Sequence, residues 1–185
     1  EYLVRAKQQL IIVVPVTLAV IMLLLYINFR NVVEVMMIMA ALPLSLVGGF
    51  WLLYLLDYNM SVAVWVGLIA LAGLAAEIGV VKLVYLNHAY ADIELRAQQQ
   101  ARAMTLEDVR EAIVTGALQR VRPVAMTAAT ILAGLLPVML GSGTGSEVMR
   151  RIAAPIVGGV STSVLLIMIV LPAMFLIWKK YQLKL

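Results

Sequence analysis

The sequence predicts an all-α membrane protein with five transmembrane helices and one cytoplasmic amphipathic helix. Two observations carry this prediction. Of the 185 residues, 64% are hydrophobic and only 13% are charged, whereas a soluble domain is about 45–50% apolar and about 25% charged. A helix needs about 17–25 apolar residues to cross a bilayer, and five segments satisfy this requirement: 10–29, 32–56, 61–86, 123–140 and 152–178.

The first three spans, in residues 10–86, follow one another through tight turns. The turn at 28–31 is short, so we expect the second helix to lie antiparallel beside the first. Pro15 and Pro43 fall inside these spans, where neighbouring helices can satisfy the freed backbone groups. The third span carries small residues at intervals of mostly three, which favours close packing against other helices: Ala63, Gly67, Ala70, Gly73, Ala76 and Gly79.

The segment 87–122 is rich in charged residues and separates these spans from the last two, in 123–178. Thr105 followed by Asp108 resembles a capping box, although Glu or Gln is usual at the last position. Apolar residues then recur every three or four positions, so we expect an amphipathic helix over 106–121 that lies on the membrane surface. These apolar residues are Leu106, Val109, Ile113, Ala117 and Val121.

The distribution of Lys and Arg orients the chain. With five spans, the turn 28–31, the segment 87–122 and the tail 179–185 share one side of the membrane, and they hold nine of the 14 Lys and Arg residues. The positive-inside rule places this side, with the C-terminus, in the cytoplasm, and the lead 1–9 outside it. The net charge of +4 therefore reflects cytoplasmic loops, and we expect no nucleic-acid partner. The chain opens on Glu1 rather than Met, so we interpret it as part of a longer protein.

Glu77 and Lys82 lie deep inside the apolar run 62–86. An ionisable group at membrane depth costs at least about 2.5–3.5 kcal/mol and usually marks a functional site. Glu77 lies near the midplane beside Gly73 and Ala76, so we expect it to face the protein interior and to act in a proton relay. The alternative is a structural hydrogen bond to a neighbouring helix.

Lys82 lies five residues beyond Glu77, about 140° around the helix, so the two do not share a helix face. Lys82 is also about 7.5 Å closer to the cytoplasm, at 1.5 Å per residue. We expect its ammonium group to snorkel to the interface. Pairing with an acid from a helix outside this chain is the alternative.

Metal-binding chemistry is restricted by composition. Cys is absent and His88 is the only histidine, so no thiolate or His-cluster metal site can form within the chain, and we expect no cofactor. The 11 methionines carry thioethers, which are soft ligands for Cu(I) and Ag(I). Met149, in the outward-facing stretch 146–150, is the candidate metal ligand. His88 is expected to be an ordinary surface residue at the cytoplasmic interface.

Several motifs resemble the C-terminal transmembrane half of RND-type efflux pumps. They lie at 29–30, 42–49, 67–73, 77–81, 120–123, 125–127 and 133–137. The strongest, GSEVM at 145–149 followed by RIAAP at 151–155, resembles the heavy-metal branch of CusA-type copper/silver exporters. The resemblance covers essentially the whole chain and implies the last five transmembrane helices of such a pump, with a periplasmic lead at 1–9.

The resemblance implies part of a proton-driven exporter of heavy-metal ions, with Cu(I) and Ag(I) favoured. Such pumps are homotrimers of the bacterial inner membrane that work with a periplasmic adaptor protein and an outer-membrane channel. The N-terminal half of the same pump would be the direct partner of this chain. The acid at the position of Glu77 belongs to the family's proton relay, and the Met at the position of Met149 belongs to a methionine path that passes the ion outward.

The sequence departs from the family at one relay position. The family places a Lys directly after its Arg-x-Arg-Pro motif, where this chain has Val124. We hypothesise that Lys82 supplies the missing cation from another helix. The departure leaves open an exporter of divalent metals or organic compounds, and a non-transporting sensing or protein-export module of the same fold. An intramembrane enzyme is disfavoured, because the spans lack paired Asp residues, a His–Glu zinc motif and a Ser/His couple.

Overall fold

The computed structural model describes the backbone of residues 2–183 and the side chains of residues 9 and 11–183. Each of its five helices contains a stretch long and apolar enough to cross a membrane, which confirms the predicted all-α membrane fold with five spanning helices. The helices are α1 Tyr2–Phe29, α2 Val32–Leu55, α3 Val62–Gln99, α4 Leu106–Leu140 and α5 Ser146–Leu183.

Helix α5 is the centre of the bundle and packs against α2, α3 and α4, while α1 packs chiefly on α2. Glycines allow the closest of these contacts. A Cβ atom added to Gly158 of α5 would lie 2.5 Å from the backbone oxygen of Gly48 in α2. Small residues permit such backbone approach between membrane helices. Only part of the small-residue stripe predicted along α3 packs closely against another helix of this chain. Gly67 contacts the backbone of α5, whereas no atom lies within 4 Å of a Cβ added to Gly73.

The α1–α2 turn, the connection 100–105 and the C-terminal part of α5 lie together, and we call this the charged end of the bundle. Two contacts hold the helices together there. Asn87 Nδ2 of α3 donates to Glu34 Oε2 of α2 at 2.7 Å, and Lys179 Nζ of α5 lies 4.0 Å from the ring centroid of Tyr90 in α3. The α2–α3 turn and the α4–α5 loop lie at the opposite end.

The amphipathic stretch 106–121 is helical, as predicted, but it is not a separate helix on a membrane surface. It forms the first part of α4, which continues through Pro123 without interruption. Its apolar face is buried against α3, where Val109 and Ala112 are fully inaccessible. A proline removes only one backbone hydrogen bond, and packing along α3 on both sides of Pro123 keeps the helix continuous.

The start of α4 confirms the predicted capping box. Thr105 Oγ1 accepts from the backbone N–H of Asp108 at 3.3 Å, and Asp108 Oδ2 accepts from the backbone N–H of Thr105 at 2.8 Å. The guanidinium of Arg102 also binds the Asp108 carboxylate, at 2.5 and 2.9 Å. Asp therefore serves here in place of the usual Glu or Gln, because the Arg102 side chain fixes its carboxylate over the helix start.

Candidate functional site

Glu77 lies in a groove of about 140 Å³ between α3 and α4. Only three of the residues lining this groove are polar: Glu77 from α3, and Arg120 and Thr127 from α4. The Glu77 side chain is exposed on the outer face of the bundle. The expectation that it faces the interior is therefore wrong for these five helices, because α5 packs on the other side of α3.

The crossing of α3 and α4 sets which residues meet in this groove. A Cβ added to Gly116 of α4 would lie 2.9 Å from the backbone oxygen of Tyr85 and 3.0 Å from Ala89 Cβ. The two helices run in opposite directions from this point, which brings Thr127 level with Glu77. The Thr127 hydroxyl donates to the Pro123 carbonyl at 3.0 Å, so its oxygen remains available to accept a further hydrogen bond.

Arg120 lies at the mouth of the groove nearer the charged end. Its guanidinium carbon lies 4.2 Å from the ring centroid of Tyr85, a cation–π arrangement. Its Nε is buried and has no hydrogen-bond partner among the residues that the structure describes. Arg120 and Glu77 share the groove without forming an ion pair. The groove therefore contains a fixed cation with an unused donor.

Val124 lines the same groove, so the position at which the family carries a Lys does face Glu77. Arg120 lies one turn before Val124 and Thr127 one turn after it, on the same face of α4. The sequence reasoning missed both of these residues, which it treated only as parts of a motif. Their spacing around Val124 was the signal that could have identified them.

Lys82 does not enter the groove. Its side chain is fully buried, and its Nζ donates to the backbone oxygen of Ala117 at 2.8 Å and to Met168 Sδ at 3.2 Å. The expectation that Lys82 snorkels is wrong, because acceptors inside the bundle bind its amine. Complete burial by these helices also leaves no surface for an acid from a helix outside the chain. Lys82 joins α3 to α4 and α5, away from Glu77.

Met149 lies near the start of α5 with 58% of its surface exposed. No group of three or more His, Asp or Glu side chains that could hold a metal occurs in the described part of the chain. The role of Met149 as a metal ligand stays a prediction. His88 is exposed, as expected, and its ring centroid lies 6.4 Å from that of Tyr85.

Known proteins resemble this chain in both sequence and fold. Residues 1–179 match the AcrB/AcrD/AcrF family. The chain is 51% identical over 180 residues to the cation efflux system protein SilA of Salmonella typhimurium. It is 48% identical over 179 residues to the cation efflux system protein CusA of Escherichia coli (strain K12). Each match covers 96% of this chain but only 17% of the relative.

The fold is similar to that in an X-ray crystal structure of a heavy metal efflux pump, with a TM-score of 0.77 and 33% identity. That match covers 97% of this chain and 16% of the pump. The chain therefore belongs to the AcrB/AcrD/AcrF family, as the resemblance of its motifs to RND-type efflux pumps predicted.

Proposed function

We propose that this chain is the second transmembrane half of a proton-driven pump that exports heavy-metal ions, with Cu(I) and Ag(I) as the preferred cargo. The observation that carries the proposal is the groove: a carboxylate, Glu77, lies at membrane depth beside Arg120 and Thr127. The similarity to cation efflux system proteins supports the substrate class. The chain then acts as part of a transporter and not as an enzyme.

The exposure of Glu77 indicates that another part of the pump covers the groove between α3 and α4. An ionised carboxylate that faced lipid would cost at least about 2.5–3.5 kcal/mol, so protein or water must cover the groove. Gly73 of α3 and Gly134 of α4 both have open space around them and would admit a closely packed helix. We assign this face to the N-terminal half of the pump, because transporter sites form where two repeats meet.

A proton relay that includes Glu77 needs a cation near the carboxyl group, because a nearby positive charge stabilises a carboxylate. Arg120 supplies that cation in place of the Lys that the family carries at Val124, since it lies on the same face of α4 and lines the same groove. We leave Lys82 out of the relay because its amine is bound inside the bundle.

Membership of the family supports a proposal about the assembly of the complete pump. We propose a homotrimer in the bacterial inner membrane, with a periplasmic adaptor protein and an outer-membrane channel as partners. The charged end faces the cytoplasm, as the Lys and Arg distribution supports, and the C-terminus lies on that side. Met149 then lies at the periplasmic end, where a second thioether from the rest of the pump would complete a site for Cu(I) or Ag(I).

The test uses the complete pump in metal-sensitive cells, with Glu77→Gln compared against wild type for resistance to silver, copper, zinc, cobalt and organic toxicants. Because Gln cannot carry a proton, we expect cells with the variant to be as sensitive as cells without the pump. Glu111→Gln, which removes an exposed carboxylate at the charged end, is the matched control and should keep full resistance. Full resistance with Glu77→Gln would show the relay assignment to be wrong.

A second candidate, an exporter of divalent metals or organic compounds, is favoured by Val124 at the family's Lys position. The same panel separates the two candidates. Wild-type resistance to silver and copper supports the first, and resistance confined to zinc, cobalt or organic compounds supports the second. A wild-type pump that protects against none of them supports a sensing or protein-export module.

A further inference from the structure

His88 is aligned with Glu77 along α3. It lies eleven residues further along the helix, which is close to three full turns, so the two side chains share nearly the same face. The rise over this distance is about 16 Å at 1.5 Å per residue. His88 therefore lies on the same side of α3 as the groove, but nearer the charged end, where its side chain is exposed.

Contacts connect the groove to His88. Arg120 lines the groove together with Glu77, and its guanidinium carbon lies 4.2 Å from the ring centroid of Tyr85. The ring centroid of Tyr85 lies in turn 6.4 Å from that of His88. Polar and aromatic groups therefore follow the α3–α4 contact from Glu77 to the water-exposed end of the bundle.

The chemistry of these groups suits proton transfer. The groove volume of about 140 Å³ can hold a few water molecules at roughly 30 Å³ each. The Tyr85 hydroxyl can both donate and accept a hydrogen bond, whereas the Arg120 guanidinium only donates and can orient water. The two ring nitrogens of the His88 imidazole can donate and accept hydrogen bonds, so this side chain can continue a hydrogen-bonded path from Tyr85.

We propose that His88 exchanges protons between Glu77 and the water at the charged end, through the Tyr85 hydroxyl and water held beside Arg120. This proposal rests on the proposed function. In each transfer one proton moves from a donor to a lone pair on the next group, and the sum is one proton moved between the Glu77 carboxyl group and bulk water. Besides Tyr85 and Arg120, the titratable group nearest along this side of α3 is Asp92, one turn beyond His88.

The experiment measures silver-dependent proton flux with the purified complete pump in liposomes containing a pH-sensitive dye. The variants are His88→Gln, Tyr85→Phe and Glu77→Gln, with Glu111→Gln as the control for loss of an exposed titratable group. We expect His88→Gln to slow the flux about a hundredfold, which is the lower end of the effect of losing acid–base catalysis. Tyr85→Phe, which keeps the ring contacts, should also slow the flux.

Imidazole in the buffer provides the readout that a merely structural role would not give. We expect added imidazole to restore most of the flux of His88→Gln and none of the flux of Glu77→Gln. The proposal is overturned if His88→Gln has the wild-type rate, or if imidazole fails to restore a slowed variant. Flux in Glu77→Gln would overturn the proposed function as well, whereas a silent Glu77→Gln with an unaffected His88→Gln overturns the His88 pathway alone.

Discussion

Lys82 and Arg120 are two cations on adjacent helices with opposite surroundings. The Lys82 amine is enclosed and bound by a carbonyl oxygen and a thioether, whereas Arg120 borders the Glu77 groove with a buried Nε that lacks a partner. Charges interact more strongly at short range in a medium of low dielectric constant. We therefore expect the cation that shares the groove to act on Glu77, whereas the Lys82 amine is held by Ala117 and Met168 away from the groove.

We predict that Lys82→Met in the complete pump retains full silver resistance. Methionine fills a similar space but removes the donor to the Ala117 oxygen, so we expect a loss of stability of about 1–3 kcal/mol with transport unchanged. Resistance and the amount of pump in the membrane are the measurements. Loss of resistance at a normal amount of pump would show that Lys82 takes part in the proton relay and would contradict the prediction.

Arg120→Gln, in contrast, should reduce silver-dependent proton flux about tenfold or more, because the groove loses its cation and the carboxylate of Glu77 loses support. Arg122→Gln is the matched control. Arg122 lies two residues away in the same motif, is exposed, and is absent from the groove lining. Equal flux for the two variants would contradict the assignment of Arg120.

At the scale of the helices, α3 is followed by a residue with an unusual backbone conformation. Ala101 has φ of 51°, a left-handed conformation that Gly adopts without strain and that costs other residues about 1–2 kcal/mol. The hydrogen bonds of a Schellman motif are present there: Ala101 N–H donates to Gln98 O at 2.9 Å, and Arg102 N–H donates to Ala97 O at 3.1 Å.

Ala101→Gly should therefore stabilise the pump by about 1 kcal/mol, since the new residue fits the native backbone. Thermal unfolding of the purified protein measures the change as a raised melting temperature. Ala91→Gly, at an exposed position inside α3, should lower stability by about 1 kcal/mol. If both variants lowered the melting temperature equally, the left-handed end of α3 would be contradicted.

The contact between α2 and α5 depends on glycine at the point where the helices cross. Gly158→Ala would place a methyl group 2.5 Å from the backbone oxygen of Gly48, so we expect a loss of stability of about 1–3 kcal/mol or more from overpacking. Gly79→Ala is the comparison, because the nearest atoms lie 3.7 Å from its added Cβ, an ordinary van der Waals contact. The measurement is the melting temperature of the two variants. Equal melting temperatures would contradict the prediction, because they would show that α2 and α5 can move apart without loss of stability.

On the scale of the whole molecule, the five helices enclose their core around α5 but leave the Glu77 groove open on one side. We predict that this chain produced alone inserts into membranes yet confers no silver resistance, because the second wall of the groove is missing. Resistance assays on cells that express the chain alone and the complete pump make the comparison. Resistance from the chain alone would contradict the assignment of the open face to a second half.

Much of this arrangement could be predicted before any coordinates. The five spans, the capping box at Thr105 and the position of Glu77 inside an apolar helix follow from hydropathy and local spacing, which are properties of short stretches. The continuity of α4 through Pro123 was missed because it depends on packing along α3. The surroundings of Lys82 were missed for a similar reason, since Ala117 and Met168 are distant in sequence.

Glu77 shows which properties of the site the local sequence determines and which depend on the tertiary structure. Local sequence is enough to place a carboxylate in the middle of an apolar helix, because hydropathy and helix rise depend only on neighbouring residues. The face on which that carboxylate lies, and its association with Arg120 rather than Lys82, follow from how α3 crosses α4 and α5 at Gly116 and Gly67. Helix crossings are set by contacts between distant residues, and for that reason the identity of the groove's cation was visible only in the folded bundle.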